Sequence, residues 1–388
     1  MNSPHFSRNL IIALFTAAGL ALGVLFGILL ERPSKQEQVV DDALSRIERT
    51  YYRNPGAKNL ADAAIAGMVR SLNDQFSNYF TAAQYRQFQQ GQQHTFSGIG
   101  VDAVKDPLGL RIAGVFPQSP AGRAHLRRGD VIVAVDSRSL KGRPDDYSRG
   151  LIRGRNGTPV TITVLSNGKR RTVTLRRAMV VAPIVTSAVK KVDGKKLGYV
   201  SLAAFDPGAH ADVAEAVRKV VRQGAHGIVF DLRENGGGLV SEARLIASLF
   251  LRNGTVVTTR GRNQPTDIIK ATGDPIAPKI PLVVLVDRGT ASASEIVTGA
   301  LKDNHRATVV GTNTFGKGVF QEVTQLDNGG ALDITVGHYF TPNGTNLGAG
   351  GVKPGSGIVP NVRVAQPPKA RTDVQLAKAL AVLAAKTK

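Results

Sequence analysis

The sequence predicts a multidomain α+β chain, and three observations carry that expectation. The chain has 388 residues, more than one ordinary compact domain holds, which suggests two or three. Hydrophobic residues make up 42 % and charged residues 20 %, a balance that supports a folded core and argues against global disorder. The texture also changes along the chain. An anchor-like segment at residues 9–31 holds a charge-free apolar run at 10–30, and a helical pattern follows in 36–92, short β-type runs in 93–179, and alternating strands and helices in 180–388.

The run Leu10–Leu30 contains no charged residue. As a helix it spans roughly 30 Å, the thickness of a hydrocarbon core. A buried core helix would show a polar face, and this run shows none. It exceeds the usual apolar stretch of a signal peptide, and the small-x-small site at Ala21–Gly23 lies inside it. The expectation is an uncleaved transmembrane signal anchor, with a removed signal peptide as the alternative. Arg8 on one flank and Arg32 and Lys35 on the other leave orientation unassigned by positive charge.

From Gln36 to about Gln90, Val39, Val40, Ala43, Leu44 and Ile47 recur at helical spacing. Leu60, Ala63, Ala64, Met68 and Leu72 do so again after a turn at Asn54-Pro55-Gly56. Tyr79, Phe80, Tyr85 and Phe88 supply packing groups. In the next segment, Leu110–Val115, Asp130–Val135, Pro159–Leu165 and Arg171–Leu175 read as strands between Gly, Asn and Pro turns. Beyond residue 180 the expected strands are Leu197–Leu202, Gly227–Leu232, Pro281–Asp287 and Thr308–Gly311. The expected helices are Ala209–Arg222, Leu239–Leu251, Ala293–Asp303 and a tail helix through Leu376, Leu380 and Leu383. Such alternation argues for a layered α/β domain.

The formal net charge of +21 invites a nucleic-acid reading. The cations are spread along the chain, however, and an aromatic content of 5 % is poor for base stacking, so no nucleic-acid partner is expected. Attraction to anionic lipid or an anionic envelope is the simpler alternative. With no Cys there is no disulfide framework, thiolate zinc site or cysteine nucleophile, although this does not locate the protein. No metal cluster or phosphate loop is visible, and no cofactor is expected.

Ser97-Gly98-Ile99-Gly100-Val101 opens the β module. Two glycines around one apolar residue let successive N–H groups converge on a peptide carboxylate, while the next strand pairs with the peptide backbone. By itself this pattern is also an ordinary glycine turn. The stretches Val115–Ala124 and Leu126–Ile132 follow, with Leu151-Ile152-Arg153-Gly154 and Gly157–Val160 beyond. The whole segment resembles a bacterial PDZ domain. That resemblance implies recognition of protein or peptide substrates by their free C-termini. Arg153, on the Arg-Gly turn, is the candidate for coupling an occupied module to the rest of the chain.

Gly289-Thr290-Ala291-Ser292-Ala293-Ser294-Glu295-Ile296 follows an apolar strand and opens a helix. Ser292 and Glu295 have the spacing of a capping box, so on this motif alone an N-cap and a nucleophile are equally good readings. Thr314-Phe315-Gly316-Lys317-Gly318 and then Gln321 shift the balance, because a lysine between two glycines is oddly placed for a solvated charge. Together these pieces resemble the carboxyl-terminal (tail-specific) processing proteases, serine peptidases related in fold to crotonases. Asp231–Gly238 is similar to a second block of that family, with Gly236 where proline prevails. Ser71–Tyr79 and Tyr339–Gly344 add further likeness.

The resemblance implies Ser292 as nucleophile, Lys317 as general base and Gln321, one helical or turn repeat later, orienting the lysine. It places Gly237 or Gly238 with the Ala293 N–H as the oxyanion hole. Asp303 and Arg306 fall at supporting positions. With the anchor, it implies a single-pass cell-membrane protein whose catalytic part is extracytoplasmic; a homo-oligomer is compatible with the sequence.

The chemistry stands beside the likeness. A lysine at its reference pKa of about 10.4 is neutral in roughly one molecule in 2,500 at pH 7. Burial lowers a lysine pKa by as much as about 3–5, enough to make a base for a serine hydroxyl. A PDZ-bearing trypsin-like protease is the competing enzyme reading, but no Gly-x-Ser-Gly-Gly block or well-placed histidine supports it. A binding-only PDZ scaffold would not need Ser292, Lys317 and Gln321 together.

Overall fold

The computed structural model describes residues 34–91, 95–116, 118–368, 370 and 372–387. The expected anchor lies outside them; among the described residues no helix is long and apolar enough to cross a membrane. The chain divides into a unit ending at Tyr79 and a second unit from Phe80 to Lys388.

In the first unit, Ser34 starts α1 (Lys35–Thr50) with a reciprocal cap. Its hydroxyl accepts the Glu37 N–H at 3.2 Å, and its own N–H donates to the Glu37 carboxylate at 2.8 Å. The Asn54-Pro55-Gly56 turn leads to α2 (Ala57–Arg70), and the Tyr79 hydroxyl donates back to Asp62 at 2.6 Å. Asn78–Phe80 forms a short strand, β1, where the sequence suggested only helix and turn.

The second unit opens with α3 (Ala82–Gly91), where Phe80 and Phe88 stack with centroids 4.9 Å apart, the packing role expected of them. The β module follows. It comprises β2 (Thr95–Gly98), β3 (Val101–Asp106), β4 (Gly109–Val115), α4 (Pro120–Arg123), β5 (Val131–Val135) and β6 (Arg138–Ser139). It then continues through α5 (Asp145–Ile152), β7 (Pro159–Ser166), β8 (Lys169–Arg176) and β9 (Ala178–Val181). The order β3-β4-β5-β7-β8 is antiparallel throughout, and β2 pairs with β9, so the first and last strands of the module meet. Ile99, Ile112, Ile132 and Ile162 are fully buried at its centre.

The α/β part contains β10 (Val185–Val192), β11 (Lys195–Leu202), α6 (Ala209–Arg222), β12 (Ile228–Asp231), α7 (Val240–Ser248), β13 (Thr255–Gly261) and β14 (Asp267–Lys270). After these come β15 (Leu282–Val286), α8 (Ala293–Asp303), β16 (Thr308–Gly311), β17 (Val319–Gln325), β18 (Ala331–Phe340), β19 (Val362–Arg363) and α9 (Val374–Lys386). The main sheet runs β10-β11-β12-β15-β16-β19, parallel from β11 onward. Every residue of β12 and β15 is buried because both faces are covered. Ile228, Phe230 and Val284 pack with α6, α7 and α8, while the alternate residues Val229, Val283 and Leu285 meet Leu380 and Leu383 of α9. In a second, antiparallel sheet β18 pairs with both β13 and β17.

Arg233 ties α9 to the main sheet. Its guanidinium donates to both carboxylate oxygens of Asp373, at 2.9 and 2.8 Å, and to Asp231 at 2.7 Å. The bond from Arg233 holds the Asp373 carboxyl below its ordinary value. A carboxyl lowered on folding stabilises above its unfolded value, near 4, and that stabilisation is lost as the pH falls through the lower folded value. Asp373→Asn keeps the oxygen that caps α9 through the Leu376 N–H. The variant is therefore expected to melt below wild type at pH 6 and together with it at pH 2. Equal melting at pH 6 would show that the ion pair contributes nothing.

Candidate active site

Parallel strands β12 and β15 are neighbours, so the loops leaving their carboxyl ends form one crevice, the usual place for a site in such a sheet. Hydrogen bonds knit the two loops together. Asp287 Oδ1 accepts the N–H of Glu234 at 2.9 Å and of Gly289 at 3.0 Å. The Thr290 hydroxyl donates to the Leu232 carbonyl at 2.8 Å, and the Ala291 N–H to the Asn235 carbonyl at 3.0 Å. Asn235 is fully buried; its amide donates to Leu202 and its Oδ1 accepts the Gly237 N–H, both bonds close to 2.9 Å.

Ser292 ends the second loop with φ 56° and ψ −118°. An ordinary N-cap residue sits in the β region, and a non-glycine residue at positive φ is strained. Such strain is held only where the surroundings over-determine it, and it clusters at reactive positions. The geometry therefore favours the nucleophile reading over the simple cap. Gly237 lies against this residue: a Cβ added there would stand 2.8 Å from Ser292 Cβ and 3.0 Å from Ala293 N, at φ 106°. Gly238 faces elsewhere, with its added Cβ 2.5 Å from the Phe205 carbonyl. Ala293 begins α8, where the first N–H groups have no partner within the helix.

Glu295 is the residue whose importance the sequence understated. It was legible as the far end of a capping box, and its carboxylate does accept the Ser292 N–H at 2.9 Å. The same oxygen also accepts the Lys317 N–H at 2.9 Å. The backbone nitrogens of Ser292 and Lys317 are therefore no farther apart than those two bonds combined. The other oxygen accepts the Gly316 N–H at 2.8 Å and the Thr314 hydroxyl at 2.5 Å. Glu295 has no exposed surface; burial pushes its carboxyl upward, and the four donors pull against that.

Lys317 lies on a stretch enclosed by the glycine-rich loop 346–357. Gly318 N–H donates to the Gly351 carbonyl at 3.0 Å, and the Lys353 N–H to the Gly316 carbonyl at 3.1 Å. A Cβ on Gly316 would come within 2.5 Å of Lys353 O, and one on Gly318 within 2.4 Å of Gly348 N, so both flanking glycines are needed for this approach. Lys317 Nζ donates to Gln321 Oε1 at 2.8 Å, and Gln321 Nε2 donates to Thr335 Oγ1 at 3.1 Å. Gln321 stands on strand β17, correcting the expected helical or turn repeat. A register shift between Phe320 and Gln321 sets it opposite Thr335, a bulge of the kind that re-aims a side chain.

Asp303 and Arg306 are not brought to this crevice. Asp303 closes α8, about 15 Å along the helix from its start, and accepts the Asn343 N–H at 3.1 Å. Arg306 donates to the carbonyls of Phe250, Ala277 and Ile280 at 3.1, 2.7 and 2.7 Å, pinning two chain segments.

In the β module, Ser97–Val101 forms one wall of a groove with Ile99, Gly100 and Val101 lining it. Phe96, Phe116, Leu110 and Ile152 make it apolar, and Arg149 and Arg153 stand at its edge. Gly98 ends β2, while Ser97 accepts the Gly154 N–H through its carbonyl at 3.3 Å. Gly100 has φ 79°, and a Cβ there would strike Ser119 Cβ at 2.2 Å, so the turn requires glycine. Arg153 lies over the Phe96 ring, 5.7 Å from its centroid.

Comparison with known proteins identifies both kinds of domain. The peptidase family S41 pattern matches residues 196–358 and a PDZ domain pattern matches residues 111–166. A protein of Staphylococcus haemolyticus named "Probable CtpA-like serine protease" is 31 % identical over 374 residues, covering 94 % of this chain and 73 % of that one. A protein of the same name from Staphylococcus aureus is 34 % identical over 320 residues, covering 81 % of this chain; the match spans 63 % of that relative's length. The solved photosystem II D1 C-terminal processing protease is 29 % identical with a TM-score of 0.54, covering 90 % of this chain and 98 % of that one. A Bacteroides fragilis structure at 19 % identity shares the fold, with a TM-score of 0.55 over 87 % of this chain and 92 % of its own.

Proposed function

The chain belongs to the CtpA-like serine proteases of peptidase family S41, and from that premise we propose a Ser-Lys endopeptidase that selects substrates by their C-termini. The observation that carries the proposal is the shared acceptor, Glu295, which holds the backbone of Ser292 and of Lys317 on a single oxygen. In its neutral form Lys317 Nζ, oriented by Gln321, takes the Ser292 Oγ proton as the oxygen attacks the scissile carbonyl carbon. The oxyanion that forms is met by the Ala293 N–H at the start of α8. The second donor is the N–H of Gly237 or Gly238: Gly237 lies against Ser292 with its N–H bonded to Asn235, and Gly238 follows it in the same turn. Collapse passes the proton from Lys317 to the departing amine and leaves an acyl-enzyme on Ser292. Water then attacks that ester with Lys317 again as base.

The groove beside Ile99 supports selection of substrate tails. A bound tail adds a strand at Gly98–Val101 and places apolar terminal side chains against Phe96, Leu110 and Ile152. Tethering raises the local concentration of the scissile segment near Ser292. Arg153, which lines the groove, is the candidate for coupling its occupancy to the active arrangement, which requires that the tail bind that arrangement more tightly. Peptides ending in a free apolar carboxylate should be cut at least about tenfold faster than their C-terminal amides. Equal rates across several tails would remove tail recognition while leaving the chemistry untouched.

The run Leu10–Leu30 fits a single-pass anchor, with the catalytic part extracytoplasmic. Membrane fractions washed in high salt should retain the protein, because apolar insertion is not screened. Release by salt alone, or a mature N-terminus near Gly23, would contradict the anchor.

A further inference from the structure

The PDZ-like module carries a second concavity, away from the tail groove, that neither the catalytic reading nor tail recognition uses. It has a volume of about 470 Å³ and is formed where the turn after α4 meets the β7–β8 hairpin. Arg127 and Arg128 line one side, Lys169 and Arg171 the other, with His125 and Asn167 between them. All six side chains are exposed. The one acid in the wall, Asp130, is buried, and its carboxylate accepts the Arg127 N–H at 3.0 Å. Among the described residues, none of the four cations is in an ion pair.

Four like charges gathered around a hollow repel one another, and a folded surface ordinarily intersperses the two signs. An unneutralised basic hollow with an amide donor at its rim is complementary to phosphate. We propose that this concavity docks the phosphate headgroups of an anionic phospholipid bilayer. The choice of a bilayer over a soluble polyanion rests on two features. The charge-free run Leu10–Leu30 is long enough to hold the chain at a membrane. The hollow also contains no Phe, Tyr or Trp, the large rings on which nucleic-acid bases stack best. Docking is at headgroup depth, since no large apolar side chain lines the hollow.

The test uses the full chain reconstituted into nanodiscs of phosphatidylcholine alone or mixed with phosphatidylglycerol, with hydrogen exchange read over residues 123–130 and 166–171. In anionic discs these segments should exchange at least about tenfold more slowly than in neutral discs, because basic residues near the surface are drawn to the anionic headgroups. High salt should abolish the difference. The variant Arg127→Gln, Arg128→Gln, Lys169→Gln, Arg171→Gln should lose it while cleaving a soluble peptide at the wild-type rate; should that variant fail to fold, Lys169→Gln with Arg171→Gln is read in its place and should lose at least half of the protection. Equal exchange in the two discs, or protection that survives the substitutions, overturns the proposal. Equal protection in neutral discs on adding inositol hexakisphosphate would overturn the bilayer in favour of a soluble polyanion.

Discussion

Ser292→Ala and Lys317→Ala should each lower peptide hydrolysis on the order of 10⁴-fold or more, and the double variant should lose no more than either single one. The two groups act on one proton, so removing either leaves the other without a task. Neither change should unfold the chain, because the loops around Ser292 are held independently by Asn235, Asp287 and Thr290. The backbone offers an internal control. Ser292 has φ 56°, where glycine is less strained than alanine. Ser292→Gly should therefore melt above Ser292→Ala, by about 1 kcal/mol of stability, while being equally inactive. Substantial turnover in either single variant would end the dyad assignment. Melting of the alanine variant above the glycine variant would end the claim of strain.

Glu295→Ala should be the most damaging change outside the dyad. It strands four buried donors, those of Ser292, Thr314, Gly316 and Lys317. Each unsatisfied donor costs about 1–3 kcal/mol, so a loss of several kcal/mol is expected, enough to threaten the fold. Glu295→Gln separates positioning from folding. It keeps the shape and one acceptor oxygen but turns an amide N–H₂ toward two of the donors. Its kcat should fall by about 10–100-fold with little change in KM, since misplacing reacting groups costs turnover more than binding. A Glu295→Gln enzyme with unaltered kcat would reduce the residue to a helix cap.

Much of this site was legible in the sequence, and the reason is local. Ser292 to Ile296 and Gly316 to Gln321 are short contiguous segments whose residue types already state a chemistry. Helices Ala209–Arg222 and Ala293–Asp303 also fall where periodicity put them, because each buries one continuous face against the sheet. Tertiary pairing concealed the rest. Strand β18 is interrupted by Asp333, Gly337 and His338, which break a clean alternation; it is held by β13 and β17 on its two sides. Glu295 carried a capping signal that was true but incomplete, since two of its four donors come from residues 316 and 317 and a third from Thr314. Loop 346–357 carried no signal in the sequence, and only the fold shows that it packs on both neighbours of Lys317. Asp303 and Arg306 matched by position in the sequence, but a helix length separates them from Ser292.

The most direct measurement is covalent labelling. Wild-type protein treated with a serine-directed fluorophosphonate should gain one adduct by intact mass, and peptide mapping should place it on Ser292. Lys317→Ala should label at least about 10³-fold more slowly, because the hydroxyl has lost its base. An adduct on another serine, or equal labelling of Ser292 with and without Lys317, would contradict the account.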